Sequence, residues 1–142
     1  MLKNIPKIIP PDLLKILCEM GHGDEIVIAD GNFPAASVGQ RVVYMCGNGG
    51  CEVLKAVLEL IPLDTYQKPL YLMAKTQGDD IPTPTPIWDE YGEIVKQYTT
   101  ENFEYIERFA FYERAKKAYA VISTGESALY ANVLIKKGVI TE

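Results

Sequence analysis

The sequence predicts an α/β domain, a single layered unit with helices packed on a mostly parallel central sheet. Three observations predict it. Strand and helix signals alternate along the chain, the run Glu-Ile-Val-Ile-Ala at Glu25–Ala29 is apolar almost throughout, and 48% of the 142 residues are hydrophobic. Alternating signals favour helices layered over a sheet. A short strand without polar alternation is one covered on both faces. A chain of 142 residues falls in the single-domain range, so one domain spanning 1–142 is expected.

The first helix is expected from about residue 11 to residue 20. Pro11 is preorganised for an opening turn, Leu13, Leu14, Ile16, Leu17 and Met20 make an apolar face, and Gly21 ends it. His22 follows in Met-Gly-His-Gly-Asp-Glu, just ahead of the strand Glu25–Ala29. Asp30 stands at that strand's C-terminal end, where open α/β sheets bind ligands; it equally suits an Asx turn into Gly31-Asn32-Phe33-Pro34. A second strand is read over 41–46 and a second helix over 51–61, with Val53, Leu54, Val57, Leu58 and Ile61 at helical spacing. Between them Gly47-Asn48-Gly49-Gly50 reads as a tight turn. Cys51 and Glu52 stand where a dinucleotide fingerprint needs glycine, and there is no Walker lysine.

A third strand is read over 70–75. Residues 76–86, with two aspartates and three prolines, form an irregular polar connection suited to a rim or lid. Trp88, Tyr91, Val95 and Tyr98 then fall on one helical face, read as packing against the sheet or a neighbouring subunit. A strand near 105–106, a short helix over 108–115 and a strand over 119–124 follow. After the turn at Gly125-Glu126, a last strand over 130–136 is expected to carry Tyr130, Asn132 and Leu134 on one face.

Composition narrows the partners. A net charge of −5 and a pI of about 4.9 make nucleic acid and anionic membrane surfaces poor ones, since both carry like charge. No stretch approaches the ~18 apolar residues of a membrane span, and Met-Leu-Lys-Asn-Ile-Pro lacks the apolar core of a signal peptide, so a cytoplasmic protein is expected. Cys18, Cys46 and Cys51 contain no Cys-x-x-Cys unit and are expected to be reduced, partly buried thiols. With one histidine, a metal site would rest on carboxylates around it, a thin ligand set, and none is expected.

His22 is the only histidine and the foremost candidate for chemistry, because an imidazole both gives and takes protons near neutrality. A lone histidine is also often no more than a satisfied surface residue. His22, Asp30, Arg108, Tyr112, Tyr130 and Asn132 all fall near predicted strand ends or on one strand face. Brought together, they would supply a proton shuttle, an anionic acceptor, cationic donors, phenols and an amide, an inventory that grips the hydroxyls of a sugar. No serine or cysteine has a histidine and acid arranged around it, so covalent acyl chemistry is disfavoured and proton transfer remains.

Several segments in order carry a resemblance: Met20-Gly21-His22-Gly23-Asp24-Glu25-Ile26, Asn32-Phe33-Pro34-Ala35, Leu63-Asp64-Thr65-Tyr66, Arg108-Phe109 through Arg114-Ala115, Thr124-Gly125-Glu126, Tyr130-Ala131-Asn132 and Lys136-Lys137-Gly138-Val139. Over nearly its whole length the chain resembles the family of D-ribose pyranase and L-fucose mutarotase, in the fucose branch. The resemblance implies a ribose-pyranase-like fold and a cofactor-free isomerase that interconverts the α and β anomers of L-fucose. It implies His22 as proton donor and Asp30, Tyr130 and Asn132 as sugar-binding residues. From the chemistry of the reaction, Asp30 is also expected to hold the imidazole. Arg108 marks the branch, since ribose pyranases carry histidine there; Tyr112 is implied as a sugar contact, and Asp64 and Met73 match pocket positions of closer relatives. A homo-oligomer is implied as well, a decameric ring with the pocket between adjacent subunits and the 130–132 element contributed across the interface. The alternatives are a pyranase or mutarotase for another sugar such as D-ribose, and a non-catalytic sugar-binding ring.

Overall fold

The computed structural model describes residues 1–82 and 85–142, so residues 83 and 84 of the expected 76–86 connection lie outside the described residues. In chain order the elements are α1 (Pro11–Glu19), β1 (Glu25–Ala29), α2 (Ala35–Val38), β2 (Val42–Met45), α3 (Gly50–Leu58), β3 (Leu70–Met73), α4 (Pro86–Val95), β4 (Glu104–Ile106), α5 (Arg108–Lys117), β5 (Ala120–Thr124) and β6 (Val133–Lys136). Pro11 and Pro86 each sit in the first turn of their helix, where a missing N–H leaves no helical bond unmade. Glu107 caps α5 by accepting from the N–H groups of Phe109 at 2.9 Å and Ala110 at 3.0 Å.

The strands form one six-stranded sheet in the order β2-β5-β1-β6-β3-β4. β2, β5 and β1 run parallel, as do β3 and β4, and β6 lies antiparallel between β1 and β3. The two-residue period of the strands splits the core into two layers. Ile26 and Ile28 of β1, with Leu70, Leu72, Ile122, Val133 and Ile135, face α1, α3 and α4. Val27 and Ala29, with Tyr71, Met73, Val121 and Leu134, face Phe111 and Ala115 of α5. β1 is fully enclosed from Ile26 to Ala29, which is why its sequence shows no polar alternation. Arg114 fastens α5 to the start of β1 through a forked pair to Glu25, Nε to Oε1 at 3.1 Å and Nη2 to Oε2 at 2.6 Å.

The four-residue α2 has too few positions to show a helical period, and the sequence gives no signal for it. Other expectations change. The last strand begins at Val133 rather than residue 130. Trp88 Nε1 donates to the Tyr130 carbonyl at 2.8 Å and the Tyr91 hydroxyl to the Ala131 carbonyl at 3.0 Å, so α4 takes the acceptors that a ladder would use. Tyr130 itself is left-handed, with φ +57°, so it and Asn132 do not share a strand face. Tyr98, expected on the aromatic face of α4, lies past the helix end and is exposed, while Trp88, Tyr91 and Val95 are buried.

Gly50, in the loop-to-helix turn, answers a packing need. A Cβ there would lie 2.0 Å from the Tyr91 hydroxyl. Gly50→Ala is therefore expected to push Tyr91 off the Ala131 carbonyl and to lower stability by about 1–3 kcal/mol, read as a lower urea midpoint. A midpoint equal to that of the wild type would show that the ring has room to move.

Candidate functional site

The C-terminal ends of β1 and β3 and the N-terminal ends of β6 and α5 meet at one sheet edge. They frame an open cleft of about 210 Å³ lined by Asp30, Met73, Arg108, Tyr112, Tyr130 and Asn132, with Asn32, Phe33, Asp79 and Leu129 around them. Ligands of open α/β sheets bind at this edge.

Asp30 leaves β1 buried, at 6% exposure. Its N–H donates to Asn132 Oδ1 at 2.8 Å, and its Oδ1 accepts from the Asn32 N–H at 2.9 Å. Both readings of this residue therefore hold, the Asx turn and the cleft carboxylate. Burial pushes its pKa above the ordinary carboxylate value, and the bonds from Asn32 and Asn132 offset part of that rise. A raised native pKa means that Asp30 stabilises the fold in its protonated form and loses that contribution as pH rises through the native value. Asp30→Asn is accordingly expected to raise the melting temperature at pH 7, and the gap to the wild type to close below the ordinary carboxylate range. A lower melting temperature at pH 7 would show that the charge is compensated in the fold.

Asn132 is buried and donates to Met73 Sδ at 3.8 Å, and with its bond to Asp30 this fixes the amide at the cleft wall. Arg108 and Tyr112 stand one helical turn apart on α5, with Arg108 Nε donating to the Tyr112 hydroxyl at 3.0 Å. Phe33 packs edge-on against Tyr112 with ring centroids 5.5 Å apart and fixes that ring at the cleft wall. The Tyr130 hydroxyl donates to Asp79 and accepts from the Thr76 N–H at 3.2 Å.

His22 and Asp64 are elsewhere. His22 precedes β1 while Asp30 follows it, and the five residues of β1 at roughly 3.3 Å each put about 16 Å between the two strand ends. The Gly23 N–H donates to the Lys137 carbonyl at 2.8 Å and the Asp64 N–H to the Lys136 carbonyl at 3.0 Å, so both neighbours hang on the far end of β6. There His22 Nε2 bonds Asp64 Oδ1 at 2.9 Å. The expectation that Asp30 holds the imidazole is thus corrected: Asp64 holds it. Asp64 is buried, which opposes its ionisation, yet the bonds from His22 and from the N–H groups of Tyr66 at 3.1 Å and Gln67 at 3.2 Å keep its pKa below the usual value. An ionised Asp64 makes Nε2 the protonated ring nitrogen, and among the described residues nothing bonds Nδ1. The imidazole is 41% exposed and leans on the Tyr66 ring, with centroids 5.1 Å apart.

Reading the sequence passed over Asn32 and Phe33 as turn residues and missed Asp79 and Leu129. For Asp79 the available signal was Gly78-Asp79 in the connection that leaves the C-terminal end of the third strand, where ligands bind. A larger concavity of about 510 Å³ lies between α3, α4 and the segment 126–129, bordered by Glu52, Glu90 and Glu126 and sharing only Leu129 with the cleft. Burial and these carboxylates push the Cys51 thiol up to about 11. Cys18 and Cys46 are exposed rather than partly buried, because each sits on the solvent side of its segment; Cys51 is half-buried.

Comparison with known proteins adds independent observations. The RbsD / FucU transport protein family model matches residues 3–140. The fucose mutarotase of Danio rerio is 50% identical over 145 residues, covering 99% of this chain and 95% of its own. The crystal structure of FucU from Bifidobacterium longum superposes with a TM-score of 0.93 at 56% identity, covering 98% of this chain and 100% of that one. The fucose mutarotase of Streptococcus pneumoniae, solved in complex with L-fucose, gives 0.92 at 48% identity, covering 99% of this chain and 100% of that one.

Proposed function

The chain belongs to the RbsD / FucU family, and from that membership and the cleft we infer that it is an L-fucose mutarotase, an isomerase that interconverts α- and β-L-fucose without a cofactor. The observation that carries the reading is the cleft itself. It gathers carboxylates, a guanidinium, phenols and an amide without an activated nucleophile, the polar set that holds a monosaccharide while protons move.

Mutarotation removes a proton from the anomeric hydroxyl and delivers one to the ring oxygen. The bond between the anomeric carbon and the ring oxygen breaks to leave an aldehyde and a hydroxyl, the carbonyl turns over, and the ring closes on its other face. His22 is the proton donor in this proposal. Asp64 holds the Nε2–H, so that Nδ1 meets the sugar, takes the proton of the anomeric hydroxyl to form an imidazolium that Asp64 stabilises, and donates that proton to the ring oxygen. Asp30, Asn132 and Tyr130 hold the sugar hydroxyls, with Arg108 and Tyr112 on the α5 side and Met73 under the ring. A neutral sugar suits a site whose charges are of both signs.

The placement of His22 and the cleft at opposite ends of β1 supports a shared site. One copy presents His22 and Asp64 to the cleft of the next, and repetition of that heterologous contact closes a ring. A decamer is the proposed ring size, on the family resemblance.

The test is saturation-transfer proton NMR on equilibrated sugars. Irradiating one anomeric signal of L-fucose is expected to diminish the other when the protein is added. Transfer with D-ribose alone would assign a pyranase, and L-fucose binding without transfer would assign a binding ring.

A further inference from the structure

We propose that Asp79 is a positioning residue for the sugar reaction: it fixes the Tyr130 hydroxyl as a hydrogen-bond acceptor toward the sugar. The inference rests on the mutarotase reading of the cleft and extends it to a residue in the connection after β3.

Residues 76–79 form a tight turn. The Asp79 N–H donates to the Thr76 carbonyl at 3.2 Å, and Gly78 at the third position has φ +96°. That backbone is a type II turn, which needs a glycine there. Lys75 Nζ ties the following residues down through the Ile81 carbonyl at 2.9 Å. Both ends of the turn then grip one hydroxyl, since the Thr76 N–H donates to Tyr130 Oη and Tyr130 Oη donates to Asp79 Oδ2.

A phenol has one hydrogen and two lone pairs. Here the hydrogen goes to a carboxylate, an acceptor stronger than a neutral one, and one lone pair goes to the Thr76 N–H. One lone pair is left for the cleft, so a sugar hydroxyl that meets Tyr130 must donate. This is the polarity suited to a hydroxyl that is about to lose its proton. An asparagine at position 79 can turn its amide and donate instead, which frees the phenol hydrogen to face the sugar.

The ring does not depend on Asp79 for its place. Its left-handed backbone is held from α4 by the Trp88 indole, 2.8 Å from the Tyr130 carbonyl. Gly78 offers a second handle. A Cβ there meets nothing within 4 Å, so alanine adds backbone strain to the turn and no contact.

The experiment measures calorimetric L-fucose affinity, and KM and kcat for anomer exchange, for wild type, Asp79→Asn, Tyr130→Phe, the double variant and Gly78→Ala. Asp79→Asn is expected to weaken binding and raise KM about tenfold, with a smaller change in kcat and an unchanged melting temperature. The double variant is expected to match Tyr130→Phe alone, because Asp79 acts through that hydroxyl. Gly78→Ala is expected to move in the same direction. Wild-type affinity in Asp79→Asn, or losses that multiply in the double variant, would overturn the proposal. A wild type that binds L-fucose without exchanging its anomers would overturn the mutarotase reading instead, and the affinities would still decide the role of Asp79.

Discussion

His22→Ala is expected to reduce enzyme-dependent anomer exchange by about 10²–10⁴-fold, the range that a positioned general acid or base supplies. The fold is expected to survive. The imidazole is 41% exposed and contributes to no core layer, so circular dichroism and melting should change little. Asp64→Asn separates orientation from chemistry. An amide still accepts from Nε2 but no longer stabilises an imidazolium, so its loss should fall between wild type and His22→Ala. Because hydrogen bonds keep the Asp64 pKa below the usual carboxylate value, its partnership with His22 should persist as pH falls until that lowered value is passed. Full exchange in a folded His22→Ala protein would remove the histidine from the mechanism.

A comparable effect, in the opposite direction, is expected from mixing two damaged proteins. His22→Ala lacks the proton donor and Asp30→Asn lacks the charged acceptor, and each assembled alone should be weakly active or inactive. When the two are co-expressed, some neighbours pair an intact His22 from one copy with an intact Asp30 from the next. Random assortment around a ring restores about a quarter of the sites. The recovered rate should therefore approach about a quarter of the wild-type rate per site, read by the same NMR transfer on co-purified, doubly tagged protein. A site confined to one chain predicts no recovery at all. The separation along β1 is what makes the two cases differ, since one chain cannot fold His22 back over its own strand to reach Asp30.

Much of this was readable before the fold was in view, for physical reasons that vary by residue. β1 and Asp30 were legible because a strand enclosed on both faces leaves a continuous apolar run, and the first polar residue after it must stand at the sheet edge. Arg108 and Tyr112 were legible as one turn of a helix. The pairing of His22 with Asp64 was not, because the two stand 42 positions apart with β1, α2, β2 and α3 between them, and no local spacing encodes it. His22 was legible as the only histidine and Asp64 through the resemblance, but only coordinates put them together and away from the cleft. Tyr130 misled for a different reason. A tyrosine gives no sign of a left-handed backbone, and the side chains that impose it come from α4, some forty residues earlier. Asp79 was lost in a stretch rich in proline and aspartate, where composition signals irregular chain and nothing more.

The antiparallel strand at the centre of the sheet sets an order in time. β6 follows the other five strands in chain order and is synthesised after them, yet it alone bonds to both β1 and β3, joining the β2-β5-β1 half to the β3-β4 half. Until it pairs, β1 and β3 each present an open edge in addition to β2 and β4. Long-range pairing of this kind slows folding and leaves the unfinished chain open to aggregation, which makes it a natural client for chaperones during synthesis. The same strand carries in Asn132 to bond Asp30, so the sugar cleft is completed in the step that completes the sheet.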